Sequence, residues 1–347
     1  MTSLSPPNGR GSRAPTMRDV AALAGVSVKT VSRVVNGEAG VREPLTSRVQ
    51  KAVFLLDYRH NLTASSLRRS DGKTASIGLL LEDVANPFSS TLHRAIEDFA
   101  RARATLVFAG SSDEDADRER ELLRAFAVRR VDGLIIVPTN RNQESLGQER
   151  RLGTPLVFVD RPAGFANVDS VTSDNRGGAE DAVRHMLERG HRRIGFLGDL
   201  QTITTANERY RGYADALASA GLALDPALVR KSVTDTDAAD AATMDLLASA
   251  TPPTALFTGQ NLITIGAVRA LRRLGAQHRV ALVGFDDFTL ADLLEPAITV
   301  IAQEVTEMGR KAAELLFSRL DGEGGEAQHV VMQTELIERG SGEIQAP

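Results

Sequence analysis

The chain is predicted to join a small all-α helix-turn-helix head and a short hinge helix to an α/β core of two parallel-sheet subdomains. Three observations predict this. Residues 17–60 carry three apolar patterns of helical spacing, with a glycine at the turn between the first two. From Thr74 onward, short apolar runs alternate with helical stretches, and the alternation occurs twice. The charge is divided as well: residues 1–73 hold 12 basic and 5 acidic side chains, the remainder 29 and 40. A basic head on an acidic body suits phosphate contact confined to one end.

Residues 1–16 are rich in Pro, Gly, Ser and Arg and have no apolar stretch of the kind a secretory leader needs, so a disordered arm is expected. Thr16 is placed to cap the first helix, with Asp19 completing a capping box. Val20, Ala21, Leu23 and Ala24 are its apolar positions. Gly25 falls where the chain must turn, and glycine tolerates the positive φ such turns need. Ser27 can cap the second helix, whose Val31, Val34 and Val35 would pack on the first. That leaves Val28, Lys29, Ser32 and Arg33 facing outward near its N-terminal end, the part of a recognition helix that meets base edges in a major groove. A third helix, about Glu43–Leu56, closes the head with Leu45, Val49, Ala52, Val53 and Leu56.

Asp19–Asn36 reads D-V-A-x-x-A-G-V-S-x-x-T-V-S-R-V-x-N, and in this it strongly resembles the lactose-repressor/galactose-repressor (LacI) family of bacterial transcription regulators. The resemblance runs through nearly the whole chain. Arg42-Glu43-Pro44 departs from the family's usual Ser/Thr cap, although Pro44 can sit in a first helical turn, where its missing N–H costs nothing. Asn61–Arg69 matches the family's hinge pattern N-x-x-A-x-x-L at Asn61, Ala64 and Leu67. The resemblance makes Leu67 a wedge between central base steps of a DNA minor groove, where unstacking is exchanged for a kinked, better-wrapped duplex. The plainer alternative is one exposed linker leucine. A helix this short is marginal alone in water and should order only on DNA or in a dimer.

In the core, Ile77–Leu81, Thr105–Ala109, Gly133–Val137 and Leu156–Asp160 are predicted strands, and Ser89–Ala102, Asp115–Val128 and Asn142–Leu152 helices. The second round comprises helix Arg176–Arg189, strand Arg193–Leu197, helix Ala206–Ala220, strand Leu228–Val233, helix Asp237–Ser249, strand Ala255–Thr258, helix Leu262–Gly275 and strand Val280–Phe285. Two such halves look like a periplasmic-binding-protein type 1 core, which implies three chain crossings, expected near Ser173, Thr299 and Gln333, with Glu304–Leu320 returning to the first half. The domain expectation is therefore an arm at 1–16, a head at 17–60, a hinge and linker at 61–73, and a core at 74–347. Its first half is 74–173 plus 302–332 and its second 174–299 plus 333–347.

Ligands of open α/β sheets lie outside the carboxyl ends of the strands. Asp83 with Asn86-Pro87-Phe88, Asp160-Arg161, Gln260-Asn261 and Asp286-Asp287 all follow predicted strands, and Arg209 lies in A-x-x-R-x-x-G-Y. The resemblance assigns polar contacts with a small-molecule effector to Arg209 and Asp286, and a guanidinium fork with a carboxylate suits vicinal hydroxyls. Arg209 has an alternative as an ion pair with Glu208 or Asp215, and Phe88 as packing under its helix. Phe88, Asp160 and Gln260 complete the expected ligand set. Gln260-Asn261 departs from the family's usual Asn-Asp, losing a carboxylate. Phe88, Phe165, Tyr210 and Phe288 are the rings expected near the cleft, in a chain without Trp.

Cysteine is absent, which excludes disulfides, thiol catalysis and Cys-based zinc sites. Gly72-Lys73-Thr74 lacks the first glycine of a P-loop, which would fall at Leu67, and Ser70–Lys73 lacks the companions of an S-x-x-K enzyme. No catalytic residue, metal site or cofactor is expected. The reading is a sequence-specific regulator, probing double-stranded palindromic operator DNA as a cytoplasmic, nucleoid-associated homodimer. Its operator affinity would be set by a carbohydrate-like effector, release being favoured over loading. The tail Gly340–Pro347 has no leucine heptad for a tetramer, and no apolar run is long enough to span a membrane. A solute-binding protein of transport is the alternative, disfavoured by the head and the lack of a leader.

Overall fold

The computed structural model describes residues 15–35, 40–58, 73–139, 153–162, 164 and 167–347. It divides into two compact units, Met1–Thr74 and Ala75–Pro347. The hinge positions Asn61, Ala64 and Leu67, the helix expected at 142–152, and Phe165 lie outside the described residues.

In the head, α1 (Met17–Ala24), α2 (Val28–Val35) and α3 (Glu43–Leu55) enclose Val20, Ala21, Ala24, Val31, Val49 and Ala52. The capping box forms: Thr16 Oγ1 accepts from Asp19 N–H and Asp19 Oδ2 accepts from Thr16 N–H at 2.7 Å. Gly25 adopts φ 61°, a left-handed C-cap, and the Arg48 guanidinium bonds Ala24 O at 2.5 Å close by. Ser27 Oγ accepts from Thr30 N–H at 3.1 Å. Pro44 occupies the first turn of α3, and Arg42 offers no side-chain cap. Leu23 does not join this core: it is 52% exposed, on the side of α1 away from α2 and α3.

The core holds two six-stranded sheets. The first runs β11-β5-β4-β3-β1-β2, from β1 (Ser76–Leu81), β2 (Leu106–Ser111), β3 (Gly133–Ile136), β4 (Leu156–Val159), β5 (Asp169–Ser173) and β11 (His329–Met332), all parallel. Successive residues of its strands feed opposite faces. Ile77, Leu79, Leu81, Ile135 and Val157 pack with α4 (Pro87–Arg101) and α10 (Val305–Leu320), whereas Leu80, Leu134, Ile136 and Phe158 pack with α5 (Ala116–Arg129). Both faces are covered, so these strands read as unbroken apolar runs rather than alternation.

The second sheet runs β12-β10-β9-β8-β6-β7, from β6 (Ile194–Leu197), β7 (Val229–Arg230), β8 (Ala255–Thr258), β9 (Ala281–Phe285), β10 (Thr299–Gln303) and β12 (Thr334–Ile337). α6 (Asn175–Glu188) and α7 (Thr204–Ser219) cover one face, α8 (Thr236–Leu247) and α9 (Asn261–Arg273) the other. Its edge strand β12 is antiparallel to β10, a departure from the all-parallel expectation. The chain passes from β11 of the first sheet to β12 of the second across Gln333 alone. β5, β10, β11 and β12 were not expected as strands. β10 belongs to the second sheet as far as Gln303, so the passage back to the first half follows Gln303 and not Thr299.

Candidate functional site

The two sheets have the same strand order, β1 matching β6, β4 matching β9 and β5 matching β10. Asp160 and Asp286 leave the ends of β4 and β9 at matching places, and their backbones match too. Each is left-handed, with φ 68° and 69°, and each N–H donates to the neighbouring strand at 2.9 Å, to Val171 O and Ile301 O. Asp tolerates this region better than most residues. The turn directs each carboxylate into the crevice beyond the strand ends, the usual ligand position in open α/β sheets.

Phe88, Asp160, Arg209, Gln260 and Asp286, the five expected ligand residues, line one cavity of about 40 Å3. At about 10–15 Å3 for each water held, that volume takes roughly three water molecules. An adjoining groove of about 310 Å3 shares Phe88, Asp286 and Gln303 and adds Phe288. One hydrogen bond clasps the halves beside the inner cavity, from Asn261 Nδ2 to Asn86 Oδ1 at 2.9 Å. The same Asn86 oxygen caps α4 through Phe88 N–H at 3.0 Å.

Arg209 is the centre of the site. It is 5% exposed. Its Nε donates to Asn175 Oδ1 at 2.7 Å, and one terminal nitrogen donates to Gly259 O at 2.8 Å and Asp286 Oδ2 at 3.1 Å. The guanidinium stacks 3.8 Å from the Phe285 ring centroid. Gly212, one turn along α7, makes this reach possible: a Cβ there would stand 2.2 Å from Arg176 O, so only glycine lets α6 and α7 approach this closely. The alternative pairings of Arg209 are taken by others, Glu208 by Arg211 at 2.9 Å and Asp215 by Arg176 at 2.7 Å.

On the first half, Arg161 is 3% exposed and committed to Glu114 Oε1 and Oε2, at 2.5 and 3.0 Å, and to Pro138 O at 3.0 Å. Burial would lower its pKa, but the bonds and charge of Glu114, with Asp160 and Glu82, raise it. Burial raises Asp160, against the opposing charges of Arg161 and Arg209. Glu82 is pushed up to about 7 by burial, opposed by Arg161 and reinforced by Glu114, Asp160 and Asp199. Asp199 is likewise raised by burial, against hydrogen bonds from Leu200 N–H and Gln260.

Several site residues escaped the sequence reading. Glu82 lines the cavity, whereas the expected Asp83 is turned into its own loop, accepting from Ala85 N–H at 2.8 Å. Asp199 lies two residues past β6, and Gln303 ends the unpredicted β10, donating to Asp286 Oδ1 at 2.5 Å. The strand-end rule applied to β6 would have found Asp199. Gln260 caps α9 through Leu262 N–H and donates to Asp199 Oδ2 at 3.2 Å. Asp287 is held in a bidentate pair with Arg339, at 2.8 and 2.6 Å, and does not line the inner cavity. Tyr210 is no cleft ring: it packs on Phe196 at 5.5 Å, under Lys231.

Among the described residues the trio close enough to share a metal ion is His185, Glu338 and Glu343. His185 bonds Glu343 at 2.8 Å and Arg189 engages Glu338 at 3.3 Å, so these groups already tie the C-terminal segment to α6. In the head, Val28 and Lys29 are exposed on the first turn of α2, and Ser32 and Arg33 are half-buried one turn on. No helix among the described residues is long and apolar enough to cross a membrane.

A capped helix-turn-helix and a two-lobed core with a polar cleft define a DNA-binding regulator built on a solute-binding scaffold. The chain belongs to the lacI family of bacterial regulatory proteins. The family's profile matches residues 16–61, and that of the periplasmic binding protein-like domain matches residues 183–342. The transcriptional regulator CelR of Thermobifida fusca is 33% identical over 95% of this chain and 99% of its own. The transcriptional repressor CytR of Escherichia coli K12 is 30% identical over 94% and 96%. A solved CelR–cellobiose complex superposes with a TM-score of 0.71 at 32% identity, covering 94% of this chain and 99% of that one. These relatives are transcriptional regulators.

Proposed function

We propose that this regulator is a repressor that binds a palindromic operator as a cytoplasmic homodimer and is released by a small polyhydroxylated effector held between the core halves. It acts by binding and not by catalysis. The observation that carries the effector reading is the convergence of Phe88, Asp160, Arg209, Gln260 and Asp286 on one cavity beyond the strand ends of both sheets. The cellobiose bound by CelR supports a carbohydrate-like ligand. The head favours this reading over solute transport.

Val28, Lys29, Ser32 and Arg33 contact the major groove, and Asn61, Ala64 and Leu67 the minor groove. The inner cavity is too small for a sugar ring, so the effector enters an opened cleft and must break or bypass the Asn86–Asn261 clasp. Coupling then runs through Asn61–Arg69, which joins the head to β1. A hinge helix this short is near its folding limit, so a small change in the first half can melt it.

The test is operator binding by the full chain, with the DNA selected from a random palindromic pool and titrated with sugars. We expect weakening by roughly 5–150-fold, and the same factor on effector affinity when operator is added. No sequence-selective binding would refute the head assignment. Selective binding indifferent to every ligand, with Arg209→Ala indistinguishable from wild type, would refute the cleft assignment.

A further inference from the structure

The cleft is unbalanced in charge and in hydrogen-bonding groups. Glu82, Asp160, Asp199 and Asp286 line it against two guanidiniums. Neither cation is spare. Arg161 is held by Glu114 and a backbone carbonyl, and Arg209 by Asp286, Asn175 and Gly259. Acceptors outnumber donors as well: Gln303 Oε1, buried in the cavity wall, has no hydrogen-bond partner among the described residues, and the buried donor of the wall that also lacks a hydrogen bond, Arg161 Nε, already faces Asp160 Oδ2 at 3.4 Å. Buried acceptors without donors are costly and uncommon, so a ligand that supplies donors is favoured.

A sugar phosphate or sugar acid would bring further negative charge to this surface and is disfavoured. A chelated metal ion is disfavoured too. No three of the cleft carboxylates offer oxygens within 4.8 Å of one another, so the charge is spread along the walls. A ligand with many hydroxyl donors and one positive charge fits both imbalances.

We propose that the effector is a polyhydroxylated molecule bearing a protonated amine, its hydroxyls against Arg209, Asp286 and Asp160 and its ammonium between Glu82 on the first half and Asp199 on the second. The inference rests on the reading of the cleft as the effector site and specifies that site's ligand class. Glu82 and Asp199 leave matching strands, β1 and β6, one from each half. An ammonium between them would draw the halves together, which links recognition to closure.

The pH behaviour follows from the surroundings of Glu82. Arg161 faces it, along with Glu114, Asp160 and Asp199, and burial with these acids pushes it up to about 7. A bound cation favours its ionised form, so binding expels a proton below that pH. Affinity for an amine that itself stays protonated should rise about tenfold from pH 6 to pH 8, following the ionised fraction of a group titrating near 7. A neutral polyol should show a much smaller dependence.

The experiment is isothermal titration of the full-length protein at pH 6, 7 and 8. The probes are 2-amino-2-deoxyhexoses, 1-amino-1-deoxyalditols and iminosugars, each beside its neutral counterpart. The alditol amines are alkyl amines that, like lysine, stay protonated over this range. We expect at least one amine to bind ten or more times as tightly as its neutral match, with proton release seen as a buffer-dependent heat. Glu82→Gln and Asp199→Asn should each reduce that preference at least threefold and flatten the pH profile. Equal losses for both ligands in these variants would mark the two acids as structural and overturn the inference. A neutral sugar that binds as well as its amine would also overturn it, while the effector reading stood. If no probe binds and none alters operator affinity, the inference and the effector reading both fall.

Discussion

Replacing Arg209 by methionine probes the pair at the centre of the cleft. Methionine keeps much of the stem but removes the charge and every donor. Asn175 Oδ1, Gly259 O and Asp286 Oδ2 each lose a partner. Asp286 is 7% exposed and cannot turn to bulk water; it keeps Gln303 as a donor. Breaking a buried ion pair from one side costs about 3–5 kcal/mol. Orphaned neutral acceptors would add about 1–3 kcal/mol each if nothing reached them, but the space vacated by the guanidinium joins the cavity and admits water. A net loss of about 3–5 kcal/mol is therefore expected. At about 2–4 °C per kcal/mol for a unit this large, the core transition should fall by roughly 6–20 °C. Asp286→Asn in the same background removes the stranded charge and should recover at least about 1.5 kcal/mol. The assay is thermal and urea unfolding followed by circular dichroism at fixed protein concentration. A single variant within about 0.5 kcal/mol of wild type, or a double variant with the two losses simply added, would refute the claim that Arg209 neutralises a buried carboxylate.

Arg33→Ala should cost roughly 1–3 kcal/mol on the preferred operator if Arg33 reads a base, whereas Lys29→Ala should weaken all sequences alike and lower the salt slope by about one if it contacts phosphate. Anisotropy titrations on selected and scrambled DNA across salt separate these, and unchanged binding by both variants would sink the head assignment. Gly212→Val puts a Cβ 2.2 Å from Arg176 O, so it should destabilise the core by at least about 1–3 kcal/mol and weaken ligand binding through Arg209; an unchanged Tm would contradict it. Burial alone would raise the Glu343 pKa, but hydrogen bonds from His185, Thr299 and Gly340 N–H hold it at about 2, well below its usual 4.5. Its stabilisation is thus complete above pH 4.5 and lost as pH falls toward 2, with an upper bound of about 3 kcal/mol. In urea unfolding from pH 7 to 3, Glu343→Gln should show a flatter acid limb than wild type, and parallel limbs would refute the assignment.

The head was legible almost residue by residue because its determinants are local. Capping boxes, a left-handed glycine and a helical stripe each span a few residues, and Thr16–Asp19, Gly25 and Ser27 adopt the predicted roles. The error at Leu23 is of the same local kind. On a helix of eight residues the apolar stripe is too short to say which flank the third helix will cover. The edge strands failed for a different reason. His329–Met332 and Thr334–Ile337 are half-exposed, carry mixed polarity and lack the unbroken apolar run of the inner strands. Their pairing is decided by β5 and β10, more than thirty residues away at the least, and nothing within the segment announces it.

The cleft was legible in position and not in chemistry. The rule that ligands sit beyond strand ends selects Asp160, Gln260 and Asp286 from sequence, because each follows a recognisable apolar run. It does not say which of two adjacent acids faces inward. At β1 the sequence favoured Asp83, yet the chain turns on the Asp83 side chain and leaves Glu82 to the cavity. At β9 it offered Asp286 and Asp287 together, and Arg339, from the far C-terminal segment, removes Asp287 into an ion pair. At Asn261 the sequence showed the loss of a carboxylate relative to the family's usual pattern. Asn261 instead holds the clasp to Asn86, while Glu82 and Asp199 restore the negative charge from the two opposing walls. Net charge in such a site is a property of the closed pair of halves. It follows from which side chains each turn spends on its own loop, as Asp83 is on Ala85, and which are drawn off by distant partners, as Asp287 is by Arg339 and Asn261 by Asn86.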